Sequence, residues 1–213
     1  MSIIKQQFNF ANVDDFDKHI ALSIPDYSGL ANIFRAISVD NIHPNGKFYD
    51  LGCSTGKFLQ SIPRIASAKY IGVDVCDLTT TEFDFIKGDA AQIMQGVTNA
   101  DVVVVMFLLQ FMGRHDRSRL IKELVRLNKE CGTVILISEK IYINNVSINQ
   151  ILHREHQRQK RLSFSDKEIM DKDYQLTGSM FCLNEESIED ELSQFNTATP
   201  VWQSYNFKGW CLM

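Results

Sequence analysis

The chain has 213 residues, 45% of them hydrophobic and 23% charged, and a formal net charge of −4. That is ordinary globular composition, long enough for one α/β unit with a core of its own. The acidic balance excludes a surface that coats nucleic acid or membrane throughout, though it leaves room for a local basic patch.

Residues 13–23, "VDDFDKHIALS", carry early acids and apolar Phe16, Ile20 and Ala21 at helical spacing, and Pro25 stops that helix. Residues 27–38 form a second helix, with Leu30, Ile33, Phe34 and Ile37 on one face, and "HPNG" (43–46) is a turn. Five short strands follow: "KFYDLG" (47–52), "KYIGVDV" (69–75), "FDFIKGD" (83–89), "DVVVVMF" (101–107) and "GTVILISEK" (132–140). Val102–Val105 and Val134–Ile137 are continuous apolar runs, as expected of parallel strands buried on both faces. Arg114 to Lys129 is an amphipathic helix with Leu120, Leu124 and Leu127 inward. Helices between parallel strands make a doubly wound sheet. Residues 148–173 are helical and charged, and another helix spans about 184–195. "PVWQSYNFKGWCLM" reads as two strands reversing near Asn206 to Gly209, an antiparallel hairpin at the sheet edge. The segments are thus 1–45 (N-terminal helices), 46–140 (binding core), 141–197 (helical cap) and 198–213 (closing hairpin), taken as one domain.

The five cysteines show no C-x-x-C spacing, which argues against a zinc site or disulfide framework and for a reducing, cytoplasmic compartment. "MSIIKQQFNF" lacks the charged and apolar regions of a signal peptide. The longest apolar run, Val102 to Leu109, is too short to span a bilayer.

The chemistry concentrates in "YDLGCSTGKF" (49–58). A phosphate loop G-x-x-x-x-G-K-[ST] does not fit: Gly52 and Gly56 stand one residue too close, and Lys57 precedes Phe58 rather than Ser or Thr. The dinucleotide pattern G-x-G-x-x-G does not fit either. Asp50 followed by Gly52-Cys53-Ser54-Thr55-Gly56 matches an S-adenosylmethionine loop, an acid then G-x-G-x-G, with Ser54 in the middle glycine's place. Small residues let the backbone approach a ligand, and the helix start that follows favours a carboxylate. Asp74 ends the second strand, where a carboxylate accepts ribose hydroxyls. Asp89 follows the third strand, where an adenine amino group would be read. The plainer reading of both acids is that they cap turns.

The sequence resembles the class I methyltransferase superfamily and, within it, the carboxy-S-adenosylmethionine synthases. The likeness runs through "FDKHIALSIPDYSGL" (16–30), "YDLGCSTG" (49–56), "FLLQF" (107–111), "LISEK" (136–140), "SFSDKEI" (163–169) and "YNF" (205–207). It implies a Rossmann-like, mostly parallel seven-stranded sheet with a C-terminal antiparallel hairpin and extra helices. The implied cofactor is S-adenosylmethionine or its carboxylated form, and the implied assembly is a homodimer serving tRNA wobble-uridine modification. The implied cofactor contacts are Tyr27, Gly52, Cys53, Ser54, Asp74, Val75, Asp89 and Ala90, and Asp50, Gly56, Met106 and Phe107 join them as cofactor-side candidates. Three departures stand out. Met106 replaces an asparagine. Asp173 aligns with an arginine that grips the transferred carboxylate, and a like charge there is unfavourable. Lys172 beside it is a substitute cation, though a poorer bidentate clamp. Only 15 residues separate Asp74 from Asp89, which leaves out a helix and opens the adenine side.

The expected activity is therefore one-carbon transfer from S-adenosylmethionine, most simply of a methyl group to a small-molecule acceptor. A genuine prephenate-dependent carboxy-S-adenosylmethionine synthase is the alternative, and a non-catalytic cofactor-binding or interaction protein the second. The catalytic candidates are Gln110 as an acceptor-positioning amide, His156 as a base and Lys172. His153 and His156 have a plainer reading as a solvated helix face. Arg154, Arg158 and Arg161 read as an anion or phosphate-backbone site, or as a solvent or dimer-interface face. Of Glu139 and Lys140 at most one faces the site, because neighbouring strand residues point oppositely. Cys53 is no nucleophile, since no histidine pairs with it.

Overall fold

The computed structural model describes residues 16–80 and 82–213. The first three residues of the expected opening helix lie outside that range, as does the side chain of Phe16. The helix itself, α1, spans Phe16–Ser23. After the break at Pro25 comes α2, Tyr27–Asn41, whose Leu30 and Phe34 are fully buried. It runs three residues beyond the sequence boundary. The chain then enters β1, Lys47–Leu51, and continues through α3 (Lys57–Ser61), β2 (Lys69–Asp74), β3 (Asp84–Lys87), α4 (Ala90–Gln95) and β4 (Val102–Met106). A single 3-10 turn at Leu109–Phe111 leads into α5, Arg114–Cys131, which ends at Gly132 in the left-handed conformation. That is the usual glycine stop of a helix. Then come β5 (Val134–Lys140), α6 (Val146–Lys160), α7 (Asp166–Leu176), α8 (Glu185–Leu192), β6 (Ala198–Ser204) and β7 (Phe207–Leu212).

Seven strands form one sheet in the order β3-β2-β1-β4-β5-β7-β6. The first five are parallel, and β7 pairs antiparallel with both β5 and β6. Strand direction from β1 leads outward to β2 and β3 on one side and to β4 and β5 on the other. The β1/β4 junction is therefore the topological switch point where such sheets bind ligands, at their carboxyl ends.

The continuous apolar strands are buried on both faces. Val103, Val105, Ile135 and Ile137 pack under α4, α5 and α8, while Val102, Val104, Val134 and Leu136 pack under α2 and α3. Parallel crossovers put helices on both sides, so no strand position in the centre meets water. No helix among the described residues is long and apolar enough to cross a membrane, and all five cysteines are unbridged.

Two further boundaries differ from the sequence reading. The charged stretch 148–173 is two helices: α7 starts on a capping box in which Ser165 and Glu168 exchange hydrogen bonds, so the chain is punctuated between Lys160 and Asp166. The hairpin reverses at Tyr205–Asn206, with Tyr205 left-handed at φ 50°, and not as late as Gly209. Gly209 lies inside β7 opposite Ser138, and a Cβ there would stand 2.9 Å from Leu30. That glycine serves close helix–sheet packing instead of a turn.

Candidate active site

The loop after β1 takes the left-handed conformation at alternate positions: Gly52 at φ 74°, Ser54 at φ 49° and Gly56 at φ 74°. Glycine adopts this region freely and serine at a cost. The backbone amides of Gly52 and Cys53 donate to Val73 O at 2.7 and 3.1 Å, which folds the loop against the end of β2. Ser54 N donates to Asp74 Oδ2 at 2.8 Å, and Cys76 N donates to Asp74 Oδ1 at 2.9 Å. Asp74 thus orders both the glycine loop and the turn after β2. A Cβ at Gly56 would lie 2.3 Å from the Phe83 ring, and one at Gly72 would lie 2.7 Å from the same ring and 2.9 Å from Cys53 Sγ. One aromatic side chain therefore explains two glycines, one in the loop after β1 and one in β2.

Asp50, at the end of β1, is buried. Burial, and then the nearby charge of Asp74, push its carboxyl up to about 7. The Tyr27 phenol is held protonated, first by burial and then by Asp50 and Asp17, so it stands over the same corner. Its ring lies 6.4 Å from that of Phe107, which is itself left-handed at φ 53°. Burial, with Asp50 and Asp74, raises the Cys53 thiol far above its ordinary range, which makes it a poor thiolate source. Val75 projects at the end of β2 with 65% exposure. Asp89 caps α4, its Oδ1 accepting from Gln92 N at 2.9 Å, and Ala90 is buried behind it. The capping role is thus real for Asp89, and for Asp74 as a turn anchor. Met106 ends β4, half-buried, opposite Ser138.

The cofactor-side candidates therefore share the carboxyl edge of β1, β2 and β4, and the catalytic candidates lie apart from them and from one another. Gln110 is buried. Its Oε1 accepts from Lys140 N at 2.7 Å, its Nε2 faces Met180 Sδ at 3.6 Å, and its carbonyl accepts from Phe181 N at 2.6 Å. That amide pins the cap segment to β5. His156 is not on a solvated face: it is buried, Nε2 donating to Ser23 O at 2.8 Å, and burial pushes it down to about 4. A neutral ring committed to a carbonyl is a wedge between α1 and α6. Lys172 contacts His19 Nε2 and donates to Ser23 Oγ at 3.0 Å. Asp173 is exposed, accepting from Gln157 Nε2 at 3.0 Å with Lys160 Nζ 3.7 Å away. Arg158 and Arg161 pair with Glu155 and Asp166 at the surface, and Arg161 lies beyond the end of α6. Glu139 is turned inward and Lys140 is half-buried, with Nζ 5.8 Å from the Phe207 ring centre.

Several contacts had no sequence signal. Asp17 of α1 accepts from Thr55 Oγ1 at 2.8 Å and stands 3.8 Å from Lys57 Nζ, strapping α1 across the glycine loop. Trp202 Nε1 donates to Asp26 Oδ2 at 2.9 Å. Arg117 forms a bidentate pair with buried Glu139, at 2.8 and 2.7 Å, and also holds Glu191. The acid–arginine spacing exceeds 20 residues in each case, so only the fold brings the partners together.

The family model for a methyltransferase domain matches residues 49–136, from within β1 to within β5. Residues 49–136 thus carry a methyltransferase domain. The chain is similar to the carboxy-S-adenosyl-L-methionine synthase of Yersinia enterocolitica, 28% identical over 211 residues that cover 90% of this chain and 78% of that protein. The synthase of Alteromonas mediterranea is 29% identical, with 94% and 89% covered. Among solved structures, the magnesium protoporphyrin IX methyltransferase of Synechocystis, which holds bound S-adenosylhomocysteine, superposes with a TM-score of 0.54. The match covers 94% of this chain and 86% of that one at 14% identity. The fold is thus shared over most of both chains. With that domain and these relatives the chain is an S-adenosylmethionine-dependent transferase.

Proposed function

We propose that the chain transfers the methyl group of S-adenosylmethionine to a small-molecule acceptor. The observation that carries this reading is the alternating left-handed loop, Gly52, Ser54 and Gly56, tied to Asp74. Side chains at 52 and 56 would run into Leu108 and Phe83, so the loop keeps bare backbone there, which a ligand can approach closely. In this reading Asp74 receives the ribose hydroxyls and Asp89 the adenine amino group. Exposed Val75 offers an apolar face to the base, Ala90 and Cys53 present backbone, and Asp50 holds the loop from below. When bound, the cofactor supplies an activated sulfonium carbon. The protein's task is then to orient the acceptor in line with that carbon and exclude water. Tyr27 and Phe107 close that space, with Met106 as an apolar floor.

Calorimetric titration with S-adenosylhomocysteine tests the reading. Binding that falls at least about ten-fold in Asp74→Ala is the expected outcome. A parent protein that ignores the ligand sinks it.

The second reading is a carboxy-S-adenosylmethionine synthase acting in tRNA modification as a cytoplasmic homodimer. It is favoured by the relatives, which match over most of their length. Against it stands Asp173, an exposed acid where the resemblance expects a carboxylate-gripping arginine. Incubation with prephenate and S-adenosylmethionine separates the two: carboxylated cofactor in the product would replace the methyl-transfer reading.

A further inference from the structure

The methionyl end of S-adenosylmethionine carries an ammonium group, which leaves water favourably only when it meets a hydrogen-bond acceptor, best of all a carboxylate. Most acids at the carboxyl edge of the sheet are already engaged. Asp74 holds Ser54 N and Cys76 N, and Asp89 caps α4 through Gln92 N. Asp77 pairs with Lys87 Nζ at 2.7 Å. Asp50 is 3% exposed, and burial, then Asp74, favour its protonated form. A cation reaching it would have to be buried with it.

Asp17 differs. It comes from α1, not from the sheet, and its side chain is 28% exposed. Oδ1 accepts from Thr55 Oγ1 at 2.8 Å, inside the glycine loop. Oδ2 faces Lys57 Nζ at 3.8 Å, beyond hydrogen-bond length. An exposed pair so loose contributes little and is readily exchanged. The carboxylate is also near enough to the Tyr27 phenol to help hold its proton, after burial and Asp50. Asp17 thus stands at the corner that Tyr27 and the glycine loop enclose. An eight-residue helix does not persist alone, and the far end of α1 is anchored on the cap. Ser23 O accepts from buried His156 Nε2 at 2.8 Å, and the His19 ring lies 5.3 Å from that of Phe164. His19 and Ser23 also line a cavity of about 260 Å³ with Lys160 and Phe164. Between α1 and α2 the chain turns at Asp26, left-handed at φ 57°, and Trp202 Nε1 pins that turn.

We propose that Asp17 is a further binding residue for the cofactor: its Oδ2 accepts the α-ammonium of the methionyl end in place of Lys57, while Thr55 keeps Oδ1 in position. This rests on the cofactor placement proposed above. It adds α1 to a site otherwise built on the sheet, and it makes the strap across the glycine loop part of cofactor recognition.

The test is a cycle of ligand and protein changes on the full chain, read by calorimetry. The ligands are S-adenosylhomocysteine and its analogue with hydrogen in place of the α-amino group; the proteins are the parent and Asp17→Asn, whose amide oxygen can still take the Thr55 hydroxyl. The parent should prefer S-adenosylhomocysteine at least about ten-fold, and Asp17→Asn should bind the two ligands within about two-fold of each other. The analogue should bind both proteins alike. A strap that only orders the loop would weaken both ligands together and leave the preference standing, which overturns the proposal. A parent without the preference overturns it too. Both results leave the transferase reading intact, because S-adenosylhomocysteine still binds. A parent that binds neither ligand sinks that reading and the role of Asp17 with it. If Asp17→Asn does not fold, Lys57→Gln decides, a change at a side chain that is 70% exposed. Freed of its competing cation, Asp17 should widen the preference at least about two-fold, and a preference that does not widen overturns the proposal.

Discussion

Replacing Gly56 by alanine attacks the cradle at its tightest point. The residue sits at φ 74°, where an L side chain costs about 1–2 kcal/mol. Alanine stiffens the unfolded chain and returns about 0.4–1 kcal/mol of that. The new Cβ would stand 2.3 Å from Phe83 Cζ and 2.6 Å from Cε1, roughly 1 Å inside ordinary carbon contact of about 3.5 Å. The ring is also packed over Gly72, so it has little room to retreat. Such overpacking costs about 1–3 kcal/mol. Gly56→Ala should therefore lose about 2–4 kcal/mol in urea denaturation. Because the loop must shift to relieve the overlap, S-adenosylhomocysteine binding should fall with it. The double variant with Phe83→Ala separates the terms: removing the ring should recover about 1–3 kcal/mol of the Gly56→Ala loss and leave the backbone cost behind. Full additivity of the two changes would refute the steric account, and an unchanged stability in Gly56→Ala would refute the left-handed loop as well.

Arg117→Met should destabilise by about 3–5 kcal/mol in the same assay, because it strands the Glu139 carboxylate, whose side chain is 1% exposed, beside Glu191. Replacing all three with apolar residues of similar volume should recover most of the loss. Asp74→Asn keeps the shape but surrenders one of two amide-to-carboxylate bonds, so denaturation should show a loss of about 1–3 kcal/mol and cofactor affinity should drop with it. Asp50 gives a pH signature with a definite sign. Its carboxyl is raised from 3.8 to about 7, so the folded state holds the extra proton between those values and this group's contribution to stability falls as pH rises through that window. His156 acts oppositely: held down to about 4, it lets the unfolded chain take up the proton first, so its contribution is lost as pH drops from 6.5 toward 4. The difference between parent and Asp50→Asn stability curves isolates the first effect, and a difference independent of pH from 4 to 7 would show that Asp50 is ionised throughout.

The sheet was written in the sequence because its evidence is local. Val102–Val105 and Val134–Ile137 can only be strands covered on both sides, and a glycine loop between an acid-ended strand and a short helix has one reasonable place, the carboxyl edge. The adjacent Asp74, Val75, Asp89 and Met106 follow by strand order alone. The second half of the site was not legible. Gln110 looked like an amide for an acceptor and is instead spent on Lys140 N. His156 looked like a surface base and is buried against Ser23. Lys160 drew no attention, as one lysine among charged helical residues. Nothing in the spacing of α6 or α7 says which face meets α1, since that depends on the break after Lys160 and on how the helices pack. Periodicity and turn chemistry act over a few residues, and they fixed the parallel sheet and the loops at its carboxyl edge. Burial, the pairing of Arg117 with Glu139 and the approach of His19 to Lys160 and to Lys172 join residues from 22 to more than 140 positions apart, and tertiary packing alone decided them.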